Sequence, residues 1–106
     1  MRFLDVCANP DAAGHPDHPF PLFLIVQSDY VDIRSTTVIV PLVRGSLADQ
    51  PVSELMPVLE VLAERFVMLT QQITVLPVAS VGPKVASLAA ERHRVRRAID
   101  ILTGDL

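Results

Sequence analysis

Tryptophan is absent from this 106-residue chain, while cysteine, tyrosine and lysine occur once each and glycine four times. A lone Cys7 can form neither an internal disulfide nor a cysteine-rich metal centre, which agrees with a reducing compartment. Positive charge is also short: 9 basic against 12 acidic side chains leave a net charge of −3, which argues against a broad nucleic-acid-binding face. No apolar run approaches the ~18 residues that span a membrane, and Met1-Arg2-Phe3-Leu4-Asp5 lacks the apolar segment of a signal peptide. The expectation is a soluble cytoplasmic protein. The few glycines build no phosphate loop, and Gly-x-Ser-x-Gly, His-Glu-x-x-His and Cys-x-x-Cys are missing as well. What the chain has in quantity is apolar residues, which make up 50% of it. A chain of this mass buries roughly two-thirds of its unfolded surface, so residues 1–106 read as one domain with one core. The apolar excess further predicts an interface between identical copies.

The hydrophobic pattern is that of short strands separated by scattered prolines. Arg2 to Ala8 alternates, with Leu4, Val6 and Ala8 on one face and Phe3, Asp5 and Cys7 on the other. Asn9 to Pro19 is dense in Pro, Gly, Asn and Asp and reads as an exposed loop. Phe20 to Ser28 is apolar on both parities, so both faces need cover from the core or from a partner. Thr36 to Leu42 is a β-branched third strand, followed by an irregular connection from Val43 to Pro57 with a helical turn near Val52 to Leu55. Three more strands are predicted at Val58 to Leu62, Arg65 to Thr70 and Ile73 to Val78, joined by Ala63-Glu64 and Gln71-Gln72 as two-residue hairpin links. Beyond Gly82 and Pro83 the apolar spacing of Val85, Leu88, Val95, Ile99 and Leu102 predicts a helix of about five turns, with Pro83 in its first turn and Gly104 at its end. The fold class is mainly β: a small antiparallel sheet or partly closed barrel with one C-terminal helix.

Few constellations could carry chemistry. Asp11, His15, Asp17 and His18 form a loop set that a divalent cation could use, but Pro16 and Pro19 hinder convergence of the two imidazoles. A solvated loop is the expectation, with no metal site. Cys7 with His93 or His15 could form a thiol and base pair; a buried strand cysteine is the simpler reading. The helix carries Arg92, Arg94, Arg96 and Arg97, with Glu91–Arg94 and Arg96–Asp100 spaced as intrahelical ion pairs. These describe a self-compensated, solvated face. No cofactor is expected.

Several words, taken in order, resemble one family, the CcdB-type toxins of bacterial toxin–antitoxin modules. They are Val26-Gln27-Ser28-Asp29, Val40-Pro41-Leu42, Glu54-Leu55 with Pro57-Val58, Met68 with Thr70, Val75, Pro77-Val78, Val81-Gly82, Val85-Ala86 with Leu88, and Ala98-Ile99. The set covers almost the whole chain. The resemblance implies a CcdB/PemK-like or SH3-like fold, a sheet-mediated homodimer, and a non-enzymatic poison that binds the A subunit of DNA gyrase and traps cleaved DNA. It also implies a CcdA-like antitoxin whose disordered segment wraps the toxin and helps repress their operon. Carried over by position, the gyrase contacts fall on Tyr30 and Val31 and on Asp100, Thr103, Gly104, Asp105 and Leu106. The family's tail is an aromatic pair followed by Gly and an aliphatic residue; here it reads Thr103-Gly104-Asp105-Leu106. That departure leaves a non-toxic or retargeted homologue as an alternative, one that keeps dimerisation and antitoxin binding. An RNA-cleaving toxin on the same fold, using His93 with Arg92 or Arg96, is a further one.

Overall fold

The computed structural model describes residues 1–47 and 53–104. Seven strands and one helix follow in chain order: β1 Asp5–Ala8, β2 Leu22–Ile25, β3 Thr36–Arg44, β4 Val58–Val61, β5 Glu64–Met68, β6 Thr74–Pro77, β7 Lys84–Ser87 and α1 Arg92–Leu102. The strands form one antiparallel sheet in the order β4-β5-β3-β2-β1-β7, with β6 also paired to β3. It curls into a half-barrel, and α1 packs on one face.

Side-chain alternation explains that curl, because every central strand is apolar on both parities. Val6, Leu24, Val40, Leu42, Phe66 and Met68 point to the face covered by Leu88, Val95 and Ala98. Their neighbours Cys7, Phe23, Ile25 and Ile39 point the other way, where Leu76 and Val81 cover them. A third cluster of Val43, Met56, Val67 and Leu69 continues that second face. Each fully buried aliphatic side chain contributes about 1.5–3 kcal/mol. The chain therefore covers both faces of β2 by itself, and the two-sided apolarity of that strand does not in itself require a second copy.

The structure corrects the sequence reading in five places, the fifth at the β4–β5 turn. Lys84–Ser87 is a strand and not the start of the helix, which begins at Arg92 and makes three turns over 11 residues. Open backbone groups on β1 explain the difference: Ala8 N–H donates to Pro83 O at 2.9 Å, Leu88 N–H donates to Leu4 O at 2.8 Å, and Val6 pairs with Ala86. Pro83 thus serves as a strand acceptor, and Val85 is exposed instead of lying on a core stripe. Gly104 does follow the helix, at φ +78°.

Second, Gln71-Gln72 is no hairpin. β5 and β6 both run antiparallel to β3 and therefore run in the same direction; Thr70–Gln72 is a 3₁₀ turn between them. Pro41 accounts for the break. In an antiparallel strand a residue's N–H and C=O point to the same side, and Pro41 O accepts Leu69 N–H at 3.1 Å. Its missing donor therefore falls on that side, and the partner strand is diverted there. Third, β1 starts at Asp5 because Leu4 takes φ +73°; this ends the alternation and lets Phe3 pack on the helix side. Fourth, residues 53–57 form no helical turn, while Val52 lies outside the described residues.

The β4–β5 link lies one residue earlier than the hydrophobic pattern predicts. Val61 pairs with Glu64, leaving Leu62 and Ala63 as the turn, at φ +53° and +65°. Positive φ at both central residues suits Asn-Gly, whereas Leu and Ala are strained there by roughly 1 kcal/mol each. Leu62 is also exposed, so its replacement leaves no cavity. The double substitution Leu62→Asn with Ala63→Gly is expected to stabilise the protein by about 1–2 kcal/mol, read as a higher urea midpoint at unchanged slope. An unchanged or lower midpoint would contradict this account of the turn.

Candidate functional site

The segment after β2 is a turn in which each polar side chain holds backbone. Gln27 Oε1 accepts Val38 N–H at 3.2 Å, which ties the turn to β3. Ser28 Oγ accepts Tyr30 N–H at 3.2 Å, and Ser28 O accepts Val31 N–H at 3.0 Å. Asp29 Oδ1 accepts Phe3 N–H at 2.8 Å, while its other oxygen lies 3.5 Å from an Arg2 guanidinium nitrogen. This frame projects Tyr30, the chain's only tyrosine, into solvent at 99% exposure. An aromatic side chain left wholly in water on a fixed turn is unusual.

A cleft of about 490 Å³ separates this turn from α1. Phe3, Val26 and Ile99 give it apolar lining, Ser28, Asp29 and Tyr30 come from the turn, and Arg92, Arg96 and Asp100 come from the helix. Arg92 lies over the Phe3 ring, 5.4 Å from its centroid, a cation–π contact that fixes the guanidinium. The fold thus brings Tyr30 and Asp100 to one site although they are far apart in sequence. Val31 diverges into a neighbouring cleft, also about 490 Å³, beside Ile33, Thr37 and Val78. Thr103 caps the helix end, its hydroxyl donating to Ile99 O at 3.0 Å, and with Gly104 it is exposed outside the cleft lining. Asp105 and Leu106 lie outside the described residues.

Sequence reasoning missed Phe3, and it placed Arg92 and Arg96 on a solvated face or, for the RNA-cleaving alternative, beside His93. Their four-residue spacing was the available signal, since it stacks them on one side of a helix. Only one of the two expected intrahelical pairs forms: Arg94 meets Glu91 at 3.1 Å, whereas Arg96 and Asp100 make no ion pair among the described residues. Arg97 instead reaches Glu54 at 3.2 Å.

The other candidate groups are not assembled. His93 lines a separate cleft with Glu54, Arg94 and Arg97, whereas Arg92 and Arg96 line the cleft beside Tyr30. Cys7 is buried among apolar side chains while His15 and His93 are exposed. Burial pushes its thiol above the ordinary range, and the nearby Asp5 carboxylate adds to the shift. Both effects oppose thiolate formation. In the loop, His18 Nδ1 accepts Phe20 N–H at 3.0 Å, which makes it a backbone cap.

Among the described residues no helix is long and apolar enough to cross a membrane. A family model described as CcdB protein matches residues 4–104, nearly the whole chain. The match agrees with the half-barrel sheet, the single C-terminal helix and the ordered words of the sequence. This chain belongs to the CcdB family, the toxins of toxin–antitoxin modules.

Proposed function

We propose that this chain acts in the cytoplasm as a homodimeric toxin of one domain that binds the A subunit of DNA gyrase, traps the enzyme on cleaved DNA and is neutralised by a CcdA-like antitoxin. The observation that carries the reading is the family match across residues 4–104. Tyr30 supports it as a ready-made anchor, since exposed aromatic side chains held by a rigid frame are favoured at binding hot spots. In this reading Tyr30, Val31 and Asp100 face the target, together with the tail Thr103-Gly104-Asp105-Leu106. The toxin performs no chemistry; it stabilises a state of another enzyme by binding that state best.

Induced expression in a bacterial host with sensitive gyrase is expected to arrest growth with accumulation of DNA breaks. The purified protein should associate with a gyrase A fragment, and both effects should weaken when residues 104–106 are deleted. Normal growth at strong expression, with no association, overturns the proposal. The tail lacks the family's aromatic pair, which favours a second reading as a retargeted or non-toxic homologue. Tight antitoxin binding without gyrase binding would select that one.

A further inference from the structure

The neighbouring cleft, lined by Val31, has two features that contact between Val31 and a target leaves unexplained. The first is its apolar rim. Of the seven large apolar side chains exposed among the described residues, Met1, Val31 and Ile33 stand around this one cleft of about 490 Å³, and Ile25 and Val78 continue the lining. On an ordinary solvated surface such residues are scattered singly. The second is a surplus of hydrogen-bond donors. Thr37 lines the cleft and is only 4% exposed, yet its hydroxyl makes no hydrogen bond among the described residues. No enclosed side-chain oxygen lacks a partner there, so the hydroxyl lies in the small part of Thr37 that opens on the cleft. Gln27, also in the lining, uses Oε1 to accept the N–H of Val38, the residue after Thr37, which leaves its Nε2 unpartnered. The carboxylate of the lining is already taken, since Asp29 accepts Phe3 N–H and meets Arg2.

We propose that this cleft binds a small neutral acyl compound, with its aliphatic body against Val31, Ile33 and Val78 and its carbonyl oxygen accepting from Thr37 and Gln27. Sites for small molecules are clefts of a few hundred Å³ that join apolar lining to a few placed polar groups. Here those polar groups are donors, so the ligand has to bring the acceptor, and a carbonyl oxygen has two lone pairs to receive both. Packing does not explain the hydroxyl, because valine suits a buried strand position as well as threonine does. Charge selects a neutral ligand. Arg2 and Arg34 in the lining are each answered by a carboxylate at 3.5 Å, Asp29 and Asp32, so the cleft carries no net positive field, and a phosphate-bearing ligand would meet two negative groups. The inference stands apart from the choice of toxin target, because its readout is the small molecule itself.

The test is a ¹H–¹⁵N NMR titration of the full chain with hexanamide, beside hexylamine, which lacks the carbonyl, and hexanoate, which adds charge. Hexanamide should give saturable shifts at the Gln27 side-chain amide and at the Val31, Ile33 and Val38 backbone amides. Thr37→Val should weaken this binding about threefold to tenfold, the usual effect of one hydrogen bond. Its thermal unfolding should be unchanged or higher, because the lost hydroxyl has no partner in the protein. Ile33→Ser should weaken binding as well, whereas Val85→Ser, at an exposed apolar residue outside the lining, should not. No saturable shift with hexanamide, equal binding of hexylamine, or undiminished binding by Thr37→Val overturns the inference. Tighter binding of hexanoate would also overturn it, by showing that Arg2 and Arg34 govern the site.

Discussion

Gly82→Ala is expected to destabilise the protein by about 2–4 kcal/mol, a large share of what holds a domain of this size folded. A Cβ on Gly82 would stand 2.7 Å from Ala8 O and 3.2 Å from Ala8 Cβ. The first contact is with backbone, so no side-chain rotation relieves it. Relief requires separating the two chains, yet they are joined by Gly82 N–H to Ala8 O at 2.8 Å and Ala8 N–H to Pro83 O at 2.9 Å. The variant either keeps the overlap or lengthens bonds worth about 0.5–1.5 kcal/mol apiece. Those bonds lead into β7, whose one neighbour in the sheet among the described residues is β1. Gly14→Ala provides the contrast. Gly14 has φ +74° but nothing within 4 Å of an added Cβ, so its cost is backbone strain of roughly 1–2 kcal/mol. Urea unfolding of the two variants separates close approach from dihedral preference. A Gly82→Ala midpoint within error of the parent's would show that β1 and β7 can part without loss.

The reasons behind that contact also mark where the sequence could and could not be read. Strands from Leu22 to Pro77 were legible within a few residues because short apolar and β-branched runs bounded by proline and polar breaks are local signals. The link after Ser80 was not, because the spacing of Val85, Leu88 and Val95 fits a helix as well as a strand followed by a turn. What decided the matter was the demand of the open edge of β1 for partners, a property of residues far earlier in the chain. Gln71-Gln72 failed similarly: the break answers Pro41, which sits on a different strand. The candidate site was half legible. Gln27-Ser28-Asp29 could be recognised as a word, and the structure gives each member a bond that sets the Tyr30 turn. The facing wall could not be recognised, since Phe3 and α1 come from opposite ends of the chain and meet only through β1 and the helix packing on one sheet face. The two-sided apolarity of β2 was read correctly as a need for cover, but curling of the same sheet supplies that cover.

Tyr30→Ala is expected to lower affinity for the gyrase A fragment by roughly thirty-fold to a thousand-fold, the usual cost of about 2–4 kcal/mol for truncating an aromatic anchor. It should leave stability within about 0.5 kcal/mol of the parent, because the ring is 99% exposed and contributes nothing to the core. That separation makes the variant informative: a toxin that folds as before but no longer arrests growth has lost recognition and not structure. The backbone that presents the ring is fixed by Ser28 and Asp29 through bonds to main-chain N–H groups, and the substitution removes none of them. The loss therefore reports on the ring itself. Tyr30→Phe sharpens the assignment, since it keeps the apolar surface and deletes only the hydroxyl. If the ring fills an apolar pocket on the target, Phe retains most of the affinity; if the hydroxyl meets a buried polar group, Phe falls close to Ala. The family's usual aromatic pair is absent from the tail, so this chain has no tryptophan to share the load, and the penalty at Tyr30 should lie toward the upper end of the range. Undiminished gyrase binding by Tyr30→Ala would move the contact off this turn, leaving Val31 and the tail to account for it.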